Sequence, residues 1–246
     1  MAHPALQEID HRPWPISMAP WTWRQTWYEL LFAHWPVAPA KIERCLPSGV
    51  KLQQFEDTAW IGVVPFRMCG IAPRGCPDLP WFSAFPELNV RTYVEVDGKP
   101  GVWFFSLDAT NWLAVWGARR FFYLPYFRAD IQIEHRDGAI DFACQRRDSA
   151  AQFRGRYRAV SEPFAAHPGT LEYFLTERYC LYCQDRKARI RRADVHHVPW
   201  PLQKAEATIE VNTMADSLDI PLEGEPLLHY AAGVDTIVWQ PKPAPS

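Results

Sequence analysis

Glu87-Leu-Asn-Val-Arg-Thr-Tyr-Val-Glu-Val-Asp97 runs through Gly98-Lys-Pro-Gly101 into Val102-Trp-Phe-Phe-Ser-Leu-Asp108, and the fold turns on this stretch. Both arms have the β-branched and aromatic content of strands, and the glycine- and proline-containing link predicts a hairpin. On a strand, Glu87, Asn89, Arg91 and Tyr93 share one face, while Leu88, Val90, Thr92 and Val94 share the other. The second face is core material. The first sets an acid, an amide, a guanidinium and a phenol in a row. Such a row is either a solvated strand face or the lining of a barrel, where the arginine can hold a carboxylate bidentately.

Further segments of strand type lie on either side. They are residues 58–68, 131–135 and 140–146 around Arg136-Asp-Gly138, 152–160, 177–183, 190–196, 205–213 and 234–239. In residues 152–160, Phe153, Gly155, Tyr157 and Ala159 alternate with Arg154, Arg156 and Arg158, so one face is apolar and the other cationic. Helical spacing is predicted for residues 39–46, 109–122 and 170–176. Residues 21–35 have partly helical spacing at Trp23, Trp27, Leu30, Leu31 and His34. About nine strands and three short helices, with no βαβ repetition, predict a β-rich α+β fold. The expected architecture is a single domain, residues 21–240, built on an antiparallel barrel. Residues 1–20 are an N-terminal arm, and residues 241–246 are a frayed tail.

The chain has 246 residues, 48% hydrophobic and 22% charged, with a net charge of -2. That excludes disorder, and no apolar run is long enough for a membrane span. A pI near 6.4 argues against a basic nucleic-acid binder. The 12 tryptophans and 23 prolines favour turns and sheet edges over long helices. The N-terminus lacks a basic region followed by an apolar one, so no secretory signal is expected. The six cysteines are irregularly spaced, which predicts reduced thiols in a cytoplasm. Cys180-x-x-Cys183 has metal or redox spacing, but a strand would point the two apart, and no second pair completes a zinc site. Adjacent His196 and His197 also face opposite ways. No metal or cofactor is expected, and no phosphate loop or nucleophile elbow is present.

Asp108 is predicted to cap the following helix, with a catalytic role as the alternative. Arg119-Arg120 to Tyr126 reads as a turn with an aromatic plug. The arginines of residues 154–158 and 186–192 read as solvated faces, with anion binding as the alternative.

Phe32-Ala-His-Trp-Pro-Val37, Ile61-Gly-Val-Val-Pro-Phe66, Asn89-Val-Arg-Thr-Tyr-Val94, Phe104-Phe-Ser-Leu-Asp-Ala109, Leu124-Pro-Tyr126 and Pro199-Trp-Pro-Leu202 together resemble the YqjF-like family of uncharacterised bacterial proteins. That family more remotely resembles the acetoacetate decarboxylase-like superfamily, which implies a cone-shaped antiparallel β-barrel around a pocket. Phe85-Pro-Glu87 is similar to the superfamily's Tyr-x-Glu stretch and makes Glu87 the pocket acid. Ala118-Arg-Arg120 is similar to its Gly-Arg-Glu segment. Pro125-Tyr-Phe127 stands where it has Pro-Lys-Lys, so the nucleophilic lysine falls on Tyr126 and its neighbour on Phe127. A phenol cannot form an imine, and Schiff-base catalysis needs a primary amine.

The expected function is therefore a pocket protein, and an enzyme if it turns over, acting on a small organic acid or carbonyl compound without a Schiff base. Glu87 and Tyr126 are the candidate catalytic residues, and Arg91, Arg119, Asn89 and Tyr93 the candidate substrate-binding residues. The rivals are a non-catalytic binding or sensing protein on the same barrel, and a structural or partner-binding protein that uses its aromatic surface. A small organic ligand is the expected partner, with no nucleic acid and no membrane. Homo-oligomerisation is left open.

Overall fold

The structure, a computed structural model, describes residues 3–78 and 83–244. The expected arm and tail therefore lie partly outside the described residues, at 1–2 and 245–246. Thirteen strands dominate: β1 (Trp23–Val37), β2 (Lys51–Leu52), β3 (Ala59–Pro73), β4 (Phe85–Val96), β5 (Lys99–Ala109), β6 (Tyr126–Arg136), β7 (Ala139–Arg146), β8 (Gln152–Ala159), β9 (Cys180–Gln184), β10 (Ile190–His197), β11 (Leu202–Asn212), β12 (Leu227–Val238) and β13 (Lys242–Pro243). The helices are short: α1 (Pro39–Glu43), α2 (Trp112–Gly117) and α3 (Leu171–Thr176), with a π-helical turn at Ala118–Phe122 continuing α2. Among the described residues no helix is long and apolar enough to cross a membrane. The protein is thus a β-rich α+β fold with few helices.

The strands join in one sheet in the order β13-β10-β9-β5-β6-β7-β8-β11-β12-β1-β3-β4-β2, and β4 also pairs with β5 and β10 with β12. Most pairings are antiparallel, as expected. Two are not: β5 runs parallel to β6 and to β9. The α2 crossover returns the chain in the same direction after β5, and parallel neighbours require such a crossover.

Two hairpins close on Asp-Gly turns. Asp97 and Gly98 have φ of 52° and 67°, and Asp137 and Gly138 have 50° and 71°. Positive φ at both central positions is the tight turn that matches strand twist. The first turn is tighter than the expected Gly98-Lys-Pro-Gly101 link, because Val96 already pairs with Lys99.

Residues 21–35 contain strand β1, not helix. Glu29 sits at φ 57°, and the β1–β3 register shifts between Tyr28 and Ala33. The irregularity shifts the alternation by one. Trp23 and Trp27 then share a face with Leu30, so the spacing imitates a helix. Asp108 is likewise not the α2 cap. Asn111 is, its Oδ1 accepting from Leu113 N at 3.0 Å and Ala114 N at 3.1 Å. Asp108 lies at the end of β5, in a bidentate pair with Arg146 at 2.7 and 2.8 Å.

β1, β3 and β4 are buried on both faces. One face packs Leu31, Ala33, Ile61, Val63, Leu88 and Val90 against Phe142, Phe153 and Tyr157 of β7 and β8. The other packs Leu30, Phe32, Val64 and Phe66 against Leu107, Tyr126, Trp200 and Leu202. On β8, Arg154, Arg156 and Arg158 point outward and pair with Glu210, Asp141 and Glu206 of the neighbouring strands. The tail expected to fray after Gln240 is instead paired at Lys242 and Pro243, which meet Arg192 and Arg191 of β10.

Candidate functional site

The second face of β1, β3 and β4 lines a cavity of about 390 Å³. Alternation along β4 delivers Glu87, Asn89 and Arg91 to it, and Tyr126 enters from the start of β6. Leu124-Pro125 directs that entry. Proline disfavours helix at the residue before it, and Tyr123 takes a left-handed φ of 57° as the helical turn ends.

Glu87 is 1% exposed, and the Tyr126 hydroxyl donates to its Oε2 at 2.8 Å. Burial pushes the Glu87 carboxyl up to about 8. The hydrogen bond from Tyr126 opposes the rise, and the charge of Asp108 adds to it. Burial, then the neighbouring Glu87, holds the Tyr126 phenol well above its ordinary value. Both groups are therefore neutral at pH 7.

The Arg91 guanidinium lies 5.3 Å from the Phe32 ring centroid, and its Nη2 donates to the Leu175 carbonyl at 3.3 Å. Its Nε and the Oδ1 of Asn89 are buried without a hydrogen-bond partner among the described residues. Buried polar atoms are rarely left so, and these two belong to cavity-lining side chains.

Two sequence-predicted residues lie elsewhere. Tyr93 is buried beside the cavity, its hydroxyl 2.6 Å from His34 Nε2. Burial, then the charges of Arg91 and His229, holds that histidine well below its ordinary value. Arg119 is exposed and outside the cavity, and its Nε donates to the Tyr126 backbone carbonyl at 2.5 Å. It positions Tyr126.

Sequence reasoning missed Arg178, His197, Trp27 and Trp200, which also line the cavity. Arg178 donates to the Phe174 carbonyl at 2.6 Å and to Gln53 Oε1 at 2.5 Å, and burial pushes it down to about 10. Burial pushes His197 down to about 4. Trp200 stacks on Trp27 with centroids 5.8 Å apart. Arg178 went unnoticed beside the Cys180-x-x-Cys183 spacing. Trp200 lies within the family-like motif Pro199-Trp-Pro-Leu202.

None of the six lysines lines the cavity. Cys180 does, and burial pushes its thiol up to about 11. Cys183 packs into the Leu30–Phe32 core and Cys180 into a separate cluster with Val94 and Val96. Among the described residues no group of three or more His, Cys, Asp or Glu is placed to hold a metal ion.

The profile of the DUF2071 family, described as an uncharacterized conserved protein, matches residues 24–235. The chain belongs to the DUF2071 family. This DUF2071 protein is 48% identical over 221 residues to the uncharacterized protein YqjF of Bacillus subtilis strain 168, covering 89% of this chain and 91% of that one. Its fold is similar to that of acetoacetate decarboxylase from Legionella pneumophila, with TM-score 0.67 and 11% identity over 96% of this chain and 93% of that one. It is also similar to the enduracididine biosynthesis enzyme MppR complexed with pyruvate, with TM-score 0.64 and 13% identity over 92% and 91%. At these identities the structural likenesses carry the fold of the DUF2071 chain alone.

Proposed function

We propose that the protein binds a small organic acid or carbonyl compound in the Glu87–Tyr126 cavity and acts on it without a Schiff base. The observation that carries this reading is the company Glu87 keeps. A buried carboxyl, neutral at pH 7 and oriented by Tyr126, shares its cavity with two guanidiniums and no lysine. The lining is net cationic, which favours an anion. Arg91 holds the anionic group, and Asn89 Oδ1 accepts from a ligand hydroxyl or enol. The Glu87 proton is offered to a ligand carbonyl oxygen, the position of a general acid. The finer architecture we propose is a closed, cone-shaped barrel. It is supported by a pairing path that returns on itself through β4–β5. The compartment we propose is the cytoplasm. All six cysteines are free thiols, the state that a reducing compartment maintains.

A binding or sensing role on the same cavity is the second reading. The phenol at position 126, where the superfamily's nucleophilic lysine falls, favours it. Turnover separates the two.

The test is calorimetric titration of acetoacetate, pyruvate and longer-chain acids across pH 6 to 10. Affinity should fall as pH rises through about 8, because ionised Glu87 adds a negative charge and loses its proton. Glu87→Gln should flatten that profile. Arg91→Ala should weaken binding roughly 10–150-fold, the loss of one charge-assisted hydrogen bond. Borohydride reduction should leave no adduct on any lysine. A lysine adduct, or an unchanged affinity in Arg91→Ala, refutes the assignment.

A further inference from the structure

We infer that the α2 segment is a docking face for an anionic lipid surface, and that the cavity opens onto it. Trp112, Leu113, Trp116 and Phe121 are 58%, 43%, 58% and 51% exposed, half of the large exposed hydrophobics among the described residues, all within ten positions. Scattered single exposures are ordinary, but a contiguous patch marks an interaction surface. Beside it, Trp112 and Trp116 share a cleft of about 290 Å³ with Arg119, Arg120, Arg128 and Arg186, and no acidic residue lines that cleft.

These four arginines contrast with the arginines on the outer face of the sheet. On β6, on β8 and just after β7, Arg136, Arg147, Arg154, Arg156 and Arg158 each pair with a carboxylate. Among the described residues none of the four cleft arginines is in an ion pair. The whole chain carries a charge of -2, so attraction to an anionic surface needs a local concentration of positive charge, which the cleft supplies.

The combination selects the occupant. Unpaired arginines call for an anionic partner. Exposed tryptophan with flanking arginine is the composition that settles at the level of lipid headgroups. An acidic protein would satisfy the arginines but would leave Trp112 and Trp116 to be buried by a shaped apolar counterpart. A bilayer surface satisfies both without one. The expectation of no membrane partner rested on the lack of a spanning segment, and lying on a bilayer is a different physical state from crossing it. Trp116 and Phe121 are both half exposed and line the mouth of the cavity, so docking would set that mouth against the acyl boundary.

The test uses the full chain with vesicles of phosphatidylcholine alone and of phosphatidylcholine mixed with phosphatidylglycerol. Sedimentation should recover the protein with the mixed vesicles at least tenfold more strongly, and raised salt should reverse it. Brominated lipids should quench tryptophan fluorescence, and Trp112→Ser should reduce the quenching. Replacing Arg120, Arg128 and Arg186 together by Gln should weaken binding about 100-fold, at roughly fivefold per arginine. The matched Lys41, Lys51 and Lys204 triple to Gln should change it far less, with near-ultraviolet dichroism reporting the fold of both.

Equal recovery on neutral and mixed vesicles, or none on either, overturns the inference. So does a concentration-dependent dimer that buries Trp112. Inorganic phosphate alone reproducing the arginine-dependent signal would identify a soluble-anion site instead, and would also overturn it.

Discussion

Glu87 is a buried acid of the cavity, and its protonation has a thermodynamic consequence. Its carboxyl is raised from 4.5 to about 8 in the folded chain. Between those values the unfolded state has released the proton and the native state still holds it. Stability therefore falls as pH rises through that window, and the loss levels off above about 8. At about 1.4 kcal/mol per pH unit, the full effect is up to roughly 5 kcal/mol. Glu87→Gln removes the titration. Relative to the parent, the variant should gain stability from pH 5 to pH 9, read as the difference between the two denaturation midpoints. A constant difference across that range would mean that Glu87 is ionised in the folded protein.

Among the elements, β1 and β5 show how bulges and close approaches shape the sheet. Beside the irregularity at Glu29, Tyr28 pairs with Gly233 of β12. A Cβ there would lie 2.8 Å from Tyr28 Cδ1 and 2.9 Å from the Trp27 carbonyl oxygen. Gly233→Ala should destabilise by about 1–3 kcal/mol, the usual result of overpacking, with a lowered urea midpoint as the readout. The buried Asp108–Arg146 pair ties the end of β5 to the end of β7 across β6. Removing one partner strands the other charge, so Asp108→Asn should cost about 3–5 kcal/mol. Because the Asp108 charge helps to raise Glu87, the same variant should lower the Glu87 titration midpoint, followed by carbonyl infrared absorption.

Across the molecule, the N-terminal arm is part of the structure rather than an appendage. The Ala5 carbonyl lies 2.7 Å from His196 Nε2, Arg12 donates to the Val195 carbonyl at 2.8 Å, and His11 Nε2 lies 2.9 Å from the His197 carbonyl. All three contacts fall on β10, whose His197 lines the cavity. Deleting residues 1–14 removes about three hydrogen bonds worth about 1 kcal/mol each. At ~2–4 °C per kcal/mol for a chain of this size, Tm should fall by roughly 10 °C. A truncated chain melting with the parent would reduce the arm to a passive covering.

The parts legible in the sequence were those governed by local alternation. Side chains two apart on a strand share a face whatever the strand pairs with. Glu87, Asn89 and Arg91 could therefore be grouped from spacing, and Arg154, Arg156 and Arg158 assigned to an outer face. The second Asp-Gly turn was equally local, since positive φ is written in the residue type. The expectation that Tyr126 stands in place of a lysine came from resemblance alone. Other features depend on partners distant in the chain. β1 is buried on both faces and shifts phase at Glu29, so its alternation was masked. Asp108 looked like a cap because Arg146, its partner, lies 38 residues on. Arg178 and His197 reach the cavity only because β5 takes β9 as a parallel neighbour and β9 then pairs with β10. Tyr93 and Arg119 fall outside the cavity, the Tyr93 hydroxyl beside His34 and the Arg119 Nε on the Tyr126 carbonyl, partners that spacing does not reveal. Spacing assigns a side chain to a face. Which faces meet around an enclosed space follows from long-range pairing, a cooperative property of the folded chain.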